Sequence, residues 1–315
     1  MPLLALFAAA YFMTRPAKSH QRQLADTVNA MNAGWTATEY PDMDFRLGLM
    51  QGGDRLNDAM EFKLKMFSPE ELRKAPDSFD SREAWPKCES IREIRNQSRC
   101  GSCWAFSAAT VMSDRLCIGS GQKIQTRLSP EDVLACCFAC GNGCDGGFPN
   151  AAWAYFMQSG IVSGNNYGDN QYCKSYSIPP DAADHTTPVC KRQCTSNPQI
   201  SYFTDKTRAS SGYLLVGEDQ FKAEISQHGS IVAAFTVYAD FRQYKSGVYS
   251  HQTGDILGGH AIRIVGYGEQ DGMKYWLIAN TWSPTWGDNG FFKIKRGTNE
   301  CGIEAEGVAG LVNGI

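Results

Sequence analysis

A cysteine stands at the predicted start of a helix in the segment Cys100-Gly101-Ser102-Cys103-Trp104-Ala105-Phe106-Ser107-Ala108-Ala109. The small residues after Cys103 suit a helix that packs closely against its neighbours. A thiol at a helix start lies near unpaired backbone N–H groups and the positive end of the helix dipole, and both favour the thiolate. In such settings the thiol pKa falls to about 3.5–7.5 from about 8.5. Cys103 is therefore the candidate nucleophile.

Two other interpretations of this segment compete with a nucleophile. Cys100 and Cys103 have the C-x-x-C spacing of a redox pair. A thioredoxin-like pair is expected close to a βαβ unit, and no such unit surrounds this segment. A structural disulfide that uses Cys103 is the second alternative.

A cysteine nucleophile needs a base, and His260 is the best placed of the five histidines. It follows Gly258-Gly259 and opens the alternating strand Ala261–Tyr267, so we expect it to face a cleft. Taken alone, such a histidine is more often a hydrogen-bonded core residue. The remaining histidines lie in the N-terminal part or in polar or loop contexts: His20, His185, His228 and His251.

The base needs a residue that orients it, and the oxyanion needs donors. Asn280 follows the strand Lys274–Ala279, and its amide can hold an imidazole ring while Trp282 shields the bond from water. Gln97 and the backbone N–H of Cys103 are the candidate oxyanion donors. Taken alone, Asn280 would be a turn residue and Gln97 a surface residue; the combination favours the catalytic interpretation.

Hydrophobic patterning predicts an α+β layout with a cleft between two halves. Residues 101 to 160 are typical of helices, with a capping-box start at Ser129-Pro130 and a third helix over Pro149–Ser159 that stops at Gly160. From about residue 230 the period changes to two and the residues become β-branched and aromatic. The predicted strands are Ile231–Tyr238, Ala261–Tyr267, Lys274–Ala279 and Phe291–Lys295.

Composition excludes several function classes. The 315 residues carry 30 Lys+Arg and 33 Asp+Glu, a net charge of −3, which gives no electrostatic footprint for nucleic acid. No apolar stretch approaches the roughly 20 residues that span a bilayer. Twelve cysteines indicate disulfides, and therefore a secreted or lumenal compartment.

The cysteines all lie after residue 87, which divides the chain. We interpret residues 1–14 as a removable signal segment, 15–74 as a propeptide and 75–315 as the mature domain. Within the propeptide we expect helices near Gln23–Met31 and after Ser68. A buried helix at the N-terminus, or a cysteine-free first subdomain, is the alternative.

Four motifs in order resemble the papain family of cysteine proteases. They are Gln97, Cys100-Gly101-Ser102-Cys103-Trp104, Gly258-Gly259-His260-Ala261, and Asn280-Thr281-Trp282 with Trp286-Gly287. The resemblance implies a papain-like two-subdomain fold: a helical left half over about 85–200 and a β-barrel-like right half over about 201–312, with the active site between them. The motifs that resemble the cathepsin B branch are Asp132–Cys137, Ser177–Pro180 and Cys301–Glu306. A separation of 157 residues from Cys103 to His260, against about 130–150, also indicates a branch with an insertion.

The resemblance also implies how the cysteines pair. Cys103 remains as the nucleophile and Cys301 as a buried free thiol; no metal and no cofactor are expected. A zinc site within Cys136–Cys144 is the competing interpretation, because four thiolates can ligate zinc. The implied disulfides are Cys88–Cys117, Cys100–Cys144, Cys136–Cys190, Cys137–Cys140 and Cys173–Cys194.

By the same resemblance, the catalytic residues are Cys103, His260, Asn280 and Gln97. Glu306 is expected at the bottom of the S2 pocket, where its carboxylate admits Arg as well as apolar side chains; a surface charge is the alternative. The implied substrate-binding residues are Gly146, Gly147, Gly259, Trp282 and Glu306.

One departure from the cathepsin B pattern bears on activity. That branch carries an occluding loop with paired histidines that bind the substrate's C-terminal carboxylate. Here only Asp181–Val189 separates Pro180 from Cys190, with the single histidine His185. We therefore expect an endopeptidase with little dipeptidyl-carboxypeptidase activity; an exopeptidase that uses His185 is the alternative.

The sequence thus predicts a cysteine endopeptidase made as a zymogen, in a lysosome-like acidic vacuole or secreted. Its expected partners are protein and peptide substrates, its own propeptide as inhibitor, and cystatin-like inhibitors. We expect a monomer. Two hypotheses of a different functional class stay open. The chain could be a catalytically silent binding protein with a papain fold, or a thiol–disulfide oxidoreductase.

Overall fold

Helices dominate the first half of the chain and strands dominate the second half. The computed structural model describes residues 19–41, 43, 46–50, 62–180, 182 and 186–312. The predicted signal segment and His185 therefore lie outside the described residues. Within the described ranges, no helix combines the length and apolarity that a membrane crossing demands.

The helices agree with the capping signals of the sequence. Ser68 and Ser129 each accept a hydrogen bond from the backbone N–H three residues on, and proline follows both. The third predicted helix ends one residue before the expected Ser159. The helices are His20–Met31 (α1), Pro69–Lys74 (α2), Ser81–Ala84 (α3), Cys103–Gly119 (α4), Pro130–Cys136 (α5), Pro149–Gln158 (α6) and Glu218–His228 (α7).

Two of the four predicted strands have the predicted bounds, and the other two are longer. β6 extends to fifteen residues because it serves as the central partner of both β4 and β7. The strands are Trp35–Ala37 (β1), Phe79–Asp80 (β2), Tyr213–Leu215 (β3), Ile231–Tyr238 (β4), Tyr244–Tyr249 (β5), Ile256–Gln270 (β6), Met273–Ala279 (β7), Phe291–Lys295 (β8) and Gly307–Ala309 (β9).

The sheet is open, so the expected β-barrel-like right half is wrong in this respect. Its order is β1-β5-β8-β7-β6-β4-β9-β3, with β2 on β6, and in the described residues the end strands β1 and β3 do not pair. The apolar face is covered instead by helix α7, whose Phe221, Ala223 and Ile225 join the core of this half. Closure is therefore not needed to bury that face.

Helix α4 joins the two halves. Most of its residues are buried, and it packs against α5 and α6 on one side and β6 on the other. A helix that is buried on all sides lies in the interior of a protein, and the buried charges of α4, Asp114 and Arg115, are ion-paired. Its N-terminus therefore opens between the halves, next to the start of β6.

Five disulfides tie the body of the chain together. In the structure, all four cysteines of the Cys136–Cys144 cluster are in disulfides, so none of these thiols is available to zinc. Cys103 and Cys301 are free, and Cys301 is only partly buried because it lies in the surface turn Glu300–Gly302. The pairs are Cys88–Cys117, Cys100–Cys144, Cys136–Cys190, Cys137–Cys140 and Cys173–Cys194, the same pairs that the resemblance implies.

Candidate active site

Cys103 is the first residue of α4 and is completely buried. The turn before it is held by the Cys100–Cys144 disulfide and by a 2.8 Å bond from Gly101 N–H to the Cys144 carbonyl. Its Sγ accepts a hydrogen bond from the backbone N–H of Ala261 at 3.4 Å. The thiol thus lies beside the strand that carries His260.

His260 and Asn280 meet because β6 and β7 are antiparallel neighbours. His260 Nε2 lies 2.8 Å from Asn280 Oδ1, and the N–H of Thr281 donates to the same oxygen. That oxygen is therefore an acceptor, which places the ring proton on Nε2 and leaves Nδ1 as the basic nitrogen. Nδ1 is buried and has no hydrogen-bond partner among the described residues.

Trp282 covers the bond between His260 and Asn280. Its ring centre lies 4.7 Å from that of His260, with 31° between the planes. The histidine is completely buried. An imidazole held in this way keeps one orientation, because a hydrogen bond fixes its rotation and an aromatic ring blocks the alternatives.

Gln97 is buried with its side-chain amide directed toward the cleft. Its Oε1 accepts a bond from the Thr281 hydroxyl, which leaves Nε2 as the donor. Nε2 donates to the carbonyl oxygen of Cys100 at 2.8 Å and to that of Arg46 at 2.9 Å. The amide of Gln97 is therefore positioned to donate to a peptide carbonyl next to Cys103.

Residues 46–50, which we call the cleft segment, lie across this site. Leu49 N–H donates to the Gly259 carbonyl at 3.2 Å, and Met50 N–H donates to the Gly147 carbonyl at 3.2 Å. Gly147 N–H in turn donates to the Gly48 carbonyl at 3.0 Å. Three predicted substrate-binding positions are thus in contact with peptide backbone: Gly146, Gly147 and Gly259.

Burial sets the charge of the candidate catalytic pair, Cys103 and His260. It raises the pKa of Cys103 to about 11, although backbone N–H groups of Ala261 and Gly48 act in the opposite direction. It lowers the pKa of His260 to about 4, which the bond to Asn280 only partly offsets. The low thiol pKa predicted from the helix start therefore does not hold while the cleft is covered, because desolvation outweighs the helix dipole.

The remaining predicted residues lie farther from the thiol. Glu306 is exposed in the turn before β9, and partial burial of its carboxyl raises its pKa. Of the short loop, Thr187 packs on the turn beside the cleft, where its hydroxyl accepts a 2.9 Å bond from the N–H of Cys144.

Sequence reasoning missed two contributors. The Asp145 carboxylate forms a 2.9 Å ion pair with the Arg46 guanidinium at the rim of the cleft. Thr281 orients both Gln97 and Asn280. The role of Thr281 could have been found from its position between Asn280 and Trp282. The Arg46–Asp145 ion pair could not, because its residues are 99 positions apart and no local pattern links them.

Comparison with known proteins agrees with this geometry. Residues 75–311 match the model of the papain family cysteine proteases. The chain is 50% identical over 252 residues to cathepsin B-like cysteine proteinase 4 of Caenorhabditis elegans, covering 75% of each chain. It is 41% identical over 315 residues to cathepsin B-like cysteine proteinase 6 of the same organism, covering 93% of this chain and 82% of that one.

A solved structure extends the likeness to the N-terminal part. Procathepsin B S9 from Trypanosoma congolense superposes with a TM-score of 0.82 at 40% identity, over 93% of this chain and 98% of that one. That structure is of a proenzyme, and the match includes residues before the family domain. The chain therefore belongs to the papain family of cysteine proteases, among its cathepsin B-like members.

Proposed function

We propose that this protease is a cysteine endopeptidase whose cleft is closed by its own residues 15–74, as part of a zymogen. One observation carries the proposal: a thiol, an oriented imidazole and an amide donor surround a bound peptide backbone. The Gln97 amide donates to a peptide carbonyl while Cys103 lies against the same segment. Removal of the segment would leave these groups facing a substrate.

The proposed reaction is acyl transfer through a thioester. In the open cleft the proton of Cys103 moves to His260 Nδ1, and the thiolate attacks the peptide carbonyl carbon. The oxyanion accepts hydrogen bonds from Gln97 Nε2 and the Cys103 N–H. As the C–N bond breaks, Nδ1 returns the proton to the leaving amine. Water, deprotonated by His260, then releases the acid and regenerates the thiol.

Substrate binding is proposed to use the contacts that the cleft segment now makes. Gly147 and Gly259 would bind the substrate backbone, since both already bind backbone groups. Glu306 would accept a basic side chain in S2, and its carboxyl is exposed enough to be reached. Trp282 would shield the His260–Asn280 bond from the water that enters.

The short loop favours endopeptidase activity. Four of its residues, 186–189, return to Cys190, which is joined to Cys136, and Thr187 binds the Cys144 turn. A loop of this length is too short for a disulfide-closed wall with paired histidines. His185 is left as its one histidine.

Other parts of the proposal concern compartment and partners. Five disulfides suit an acidic vacuole or the extracellular space better than a reducing cytosol. Cystatin-like inhibitors and monomeric action also belong to the proposal.

The test compares cleavage of two peptides by the matured protein and its Cys103→Ala variant, at mildly acid pH with thiol reductant. Both peptides carry Arg as the second residue on the N-terminal side of the scissile bond. One peptide is blocked at both ends. The other has a free C-terminal carboxylate two residues beyond the scissile bond. We expect fast cleavage of the blocked peptide, slow cleavage of the free one, and an inactive variant. Preference for the free peptide would refute the endopeptidase assignment, and cleavage of neither would favour a binding protein.

A further inference from the structure

A second stretch of peptide docks on the protein outside the catalytic cleft. Residues 62–67, which we call the outer segment, lie in extended form against β3. Leu214 N–H donates to the Lys63 carbonyl at 3.1 Å, and Lys65 N–H donates to the Leu214 carbonyl at 2.9 Å. The outer segment therefore adds a parallel partner to the free edge of the end strand of the sheet.

One charged side chain anchors this segment. Lys65 Nζ lies 2.7 Å from a carboxylate oxygen of Glu224 and 3.4 Å from the Tyr213 hydroxyl. The ammonium also lies over two rings, 4.4 Å from the centre of Phe67 and 4.6 Å from that of Tyr213. A cation that is paired and desolvated between rings is held more strongly than one on an open surface.

Glu224 provides a preorganised binding site for the Lys65 ammonium. Its side chain is completely buried, which opposes ionisation, yet Arg115 and Lys65 lower its pKa to about 2. Arg115 lies 2.8 Å from the carboxylate and also donates to the carbonyls of Ser230 and Gly310. These additional bonds keep Arg115, and with it Glu224, in place without Lys65.

Two aromatic side chains flank the charge. Phe67 is buried, and its N–H donates to Gln220 Oε1 at 2.8 Å. Phe62 is partly buried and packs against the core of the helical half, where its ring fills the space that a Cβ on Gly212 would occupy. Leu64 and Met66, which alternate with the anchors, are 50% and 65% exposed. Recognition therefore depends on the spacing Phe-x-x-Lys-x-Phe.

This surface is separate from the catalytic cleft. We call it the outer groove, defined by Tyr213, Gln220 and Glu224 between β3 and α7. Arg115, which holds Glu224, lies twelve residues beyond Cys103 in helix α4. At 1.5 Å per residue that is about 18 Å along the helix.

We propose that the matured protease uses the outer groove to bind an extended segment of another polypeptide with the chemistry Phe-x-x-Lys-x-Phe. The proposal rests on the removal of residues 15–74 put forward above. Removal leaves a charged carboxylate, an aromatic ring and an unpaired strand edge at one place. Each of these now binds a group of the outer segment, and a free strand edge readily pairs with another chain. A protein that carries the motif would thus be held at a fixed distance from Cys103.

The test uses a Cys103→Ala chain with a site for a specific protease inserted between residues 74 and 75. Maturation then needs no activity of its own, and the N-terminal part is removed by gel filtration. A labelled peptide of residues 62–68 is titrated by fluorescence anisotropy. We expect saturable one-to-one binding to the matured protein and none to the intact chain. A Lys65→Met peptide should bind at least tenfold more weakly, and a Gln220→Ala protein should bind the parent peptide severalfold more weakly.

Three results would overturn the proposal: no binding, equal binding of the Lys65→Met peptide, or loss of binding when a covalent inhibitor occupies the cleft of the wild-type matured enzyme. The Gln220→Ala variant removes one peptide contact and leaves the buried Glu224–Arg115 pair intact. Because binding is measured without catalysis, its failure is distinguishable from failure of the proposed peptidase activity. Peptide binding by a matured wild-type chain that cleaves no substrate would refute the proposed peptidase activity and still support the outer groove as a binding site.

Discussion

Replacing Gly48 by alanine is expected to expose Cys103 in the intact chain. A Cβ on Gly48 would lie 1.8 Å from the carbonyl oxygen of Gly101. That oxygen belongs to a turn held by the Cys100–Cys144 disulfide, so it cannot yield easily. The φ of Gly48 lies outside the left-handed region, so the backbone conformation itself would accept alanine. The expected strain comes only from the lack of space for the Cβ.

The magnitude follows from the crowding in the closed chain. Overpacking costs about 1–3 kcal/mol when the surroundings cannot relax. The Gly147–Gly48 hydrogen bond breaks on opening in the wild type and in the variant alike, so it does not enter the difference between them. A closed form destabilised by about 1–3 kcal/mol corresponds to a roughly 5- to 140-fold increase in the open fraction.

The assay is the rate at which a covalent thiol probe labels Cys103 in the uncut chain. Because the thiol is completely buried, labelling requires opening. When opening and closing are fast, the labelling rate is proportional to the open fraction. Gly48→Ala should therefore be labelled roughly 5- to 140-fold faster than the wild type.

Gly119→Ala is the matched control. A Cβ at Gly119 meets its nearest neighbour, the Val312 carbonyl oxygen, at 3.4 Å, which is an ordinary contact. This variant should be labelled at the wild-type rate. Labelling of a folded Gly48→Ala chain at the wild-type rate would refute the argument that close packing on Gly101 keeps the cleft closed.

Three further predictions concern the matured enzyme. Gln97→Ala should lower kcat by about 10²–10³ with little change in KM, measured on a neutral peptide, because it removes one oxyanion donor; an unchanged kcat would exclude that role. Asp145→Asn should lower kcat/KM about 1.4- to fivefold for a substrate with Arg at the scissile carbonyl and leave a Leu substrate unchanged, since exposed ion pairs contribute about 0.2–1 kcal/mol. The preference for Arg over Phe in S2 should fall as the pH drops through the raised pKa of Glu306, because protonation removes the attracting charge. Glu306→Gln should abolish that pH dependence, and a persistent dependence would point to another group.

The helices and strands around the site were predictable because their signals are local. Ser129 and Pro130 mark a helix start by capping chemistry alone, and β4 has the predicted bounds because β-branched and aromatic residues are concentrated between Ile231 and Tyr238. The open sheet was not predictable, because whether end strands meet depends on what covers the apolar face. Here that cover is α7, a helix whose packing partner no local pattern identifies.

The path of the N-terminal part was also beyond sequence reasoning. Leu49 and Met50 are held by backbone bonds, which any residue except proline can make, so they carry no side-chain signature. Lys65 binds Glu224, 159 positions away, and nothing near either residue indicates the pair. The motifs of Cys103 and His260 were visible because the proposed catalysis depends on particular side chains. Covering the cleft depends mainly on how closely a backbone can fit, which leaves no such motif.

Proton accounting shows why the covering of the cleft matters more than pH for the proposed catalytic pair, Cys103 and His260. With the cleft covered, burial keeps Cys103 as a thiol and His260 neutral, so the pair holds one titratable proton between about pH 4 and 11. The proposed thiolate–imidazolium pair of the open cleft holds the same proton, moved from Sγ to Nδ1. An equilibrium that takes up no proton does not depend on pH. In the pH range where both states hold this one proton, any pH dependence of opening must therefore arise at other groups, and what holds this pair inactive is the coverage that Gly48 makes possible by fitting against Gly101.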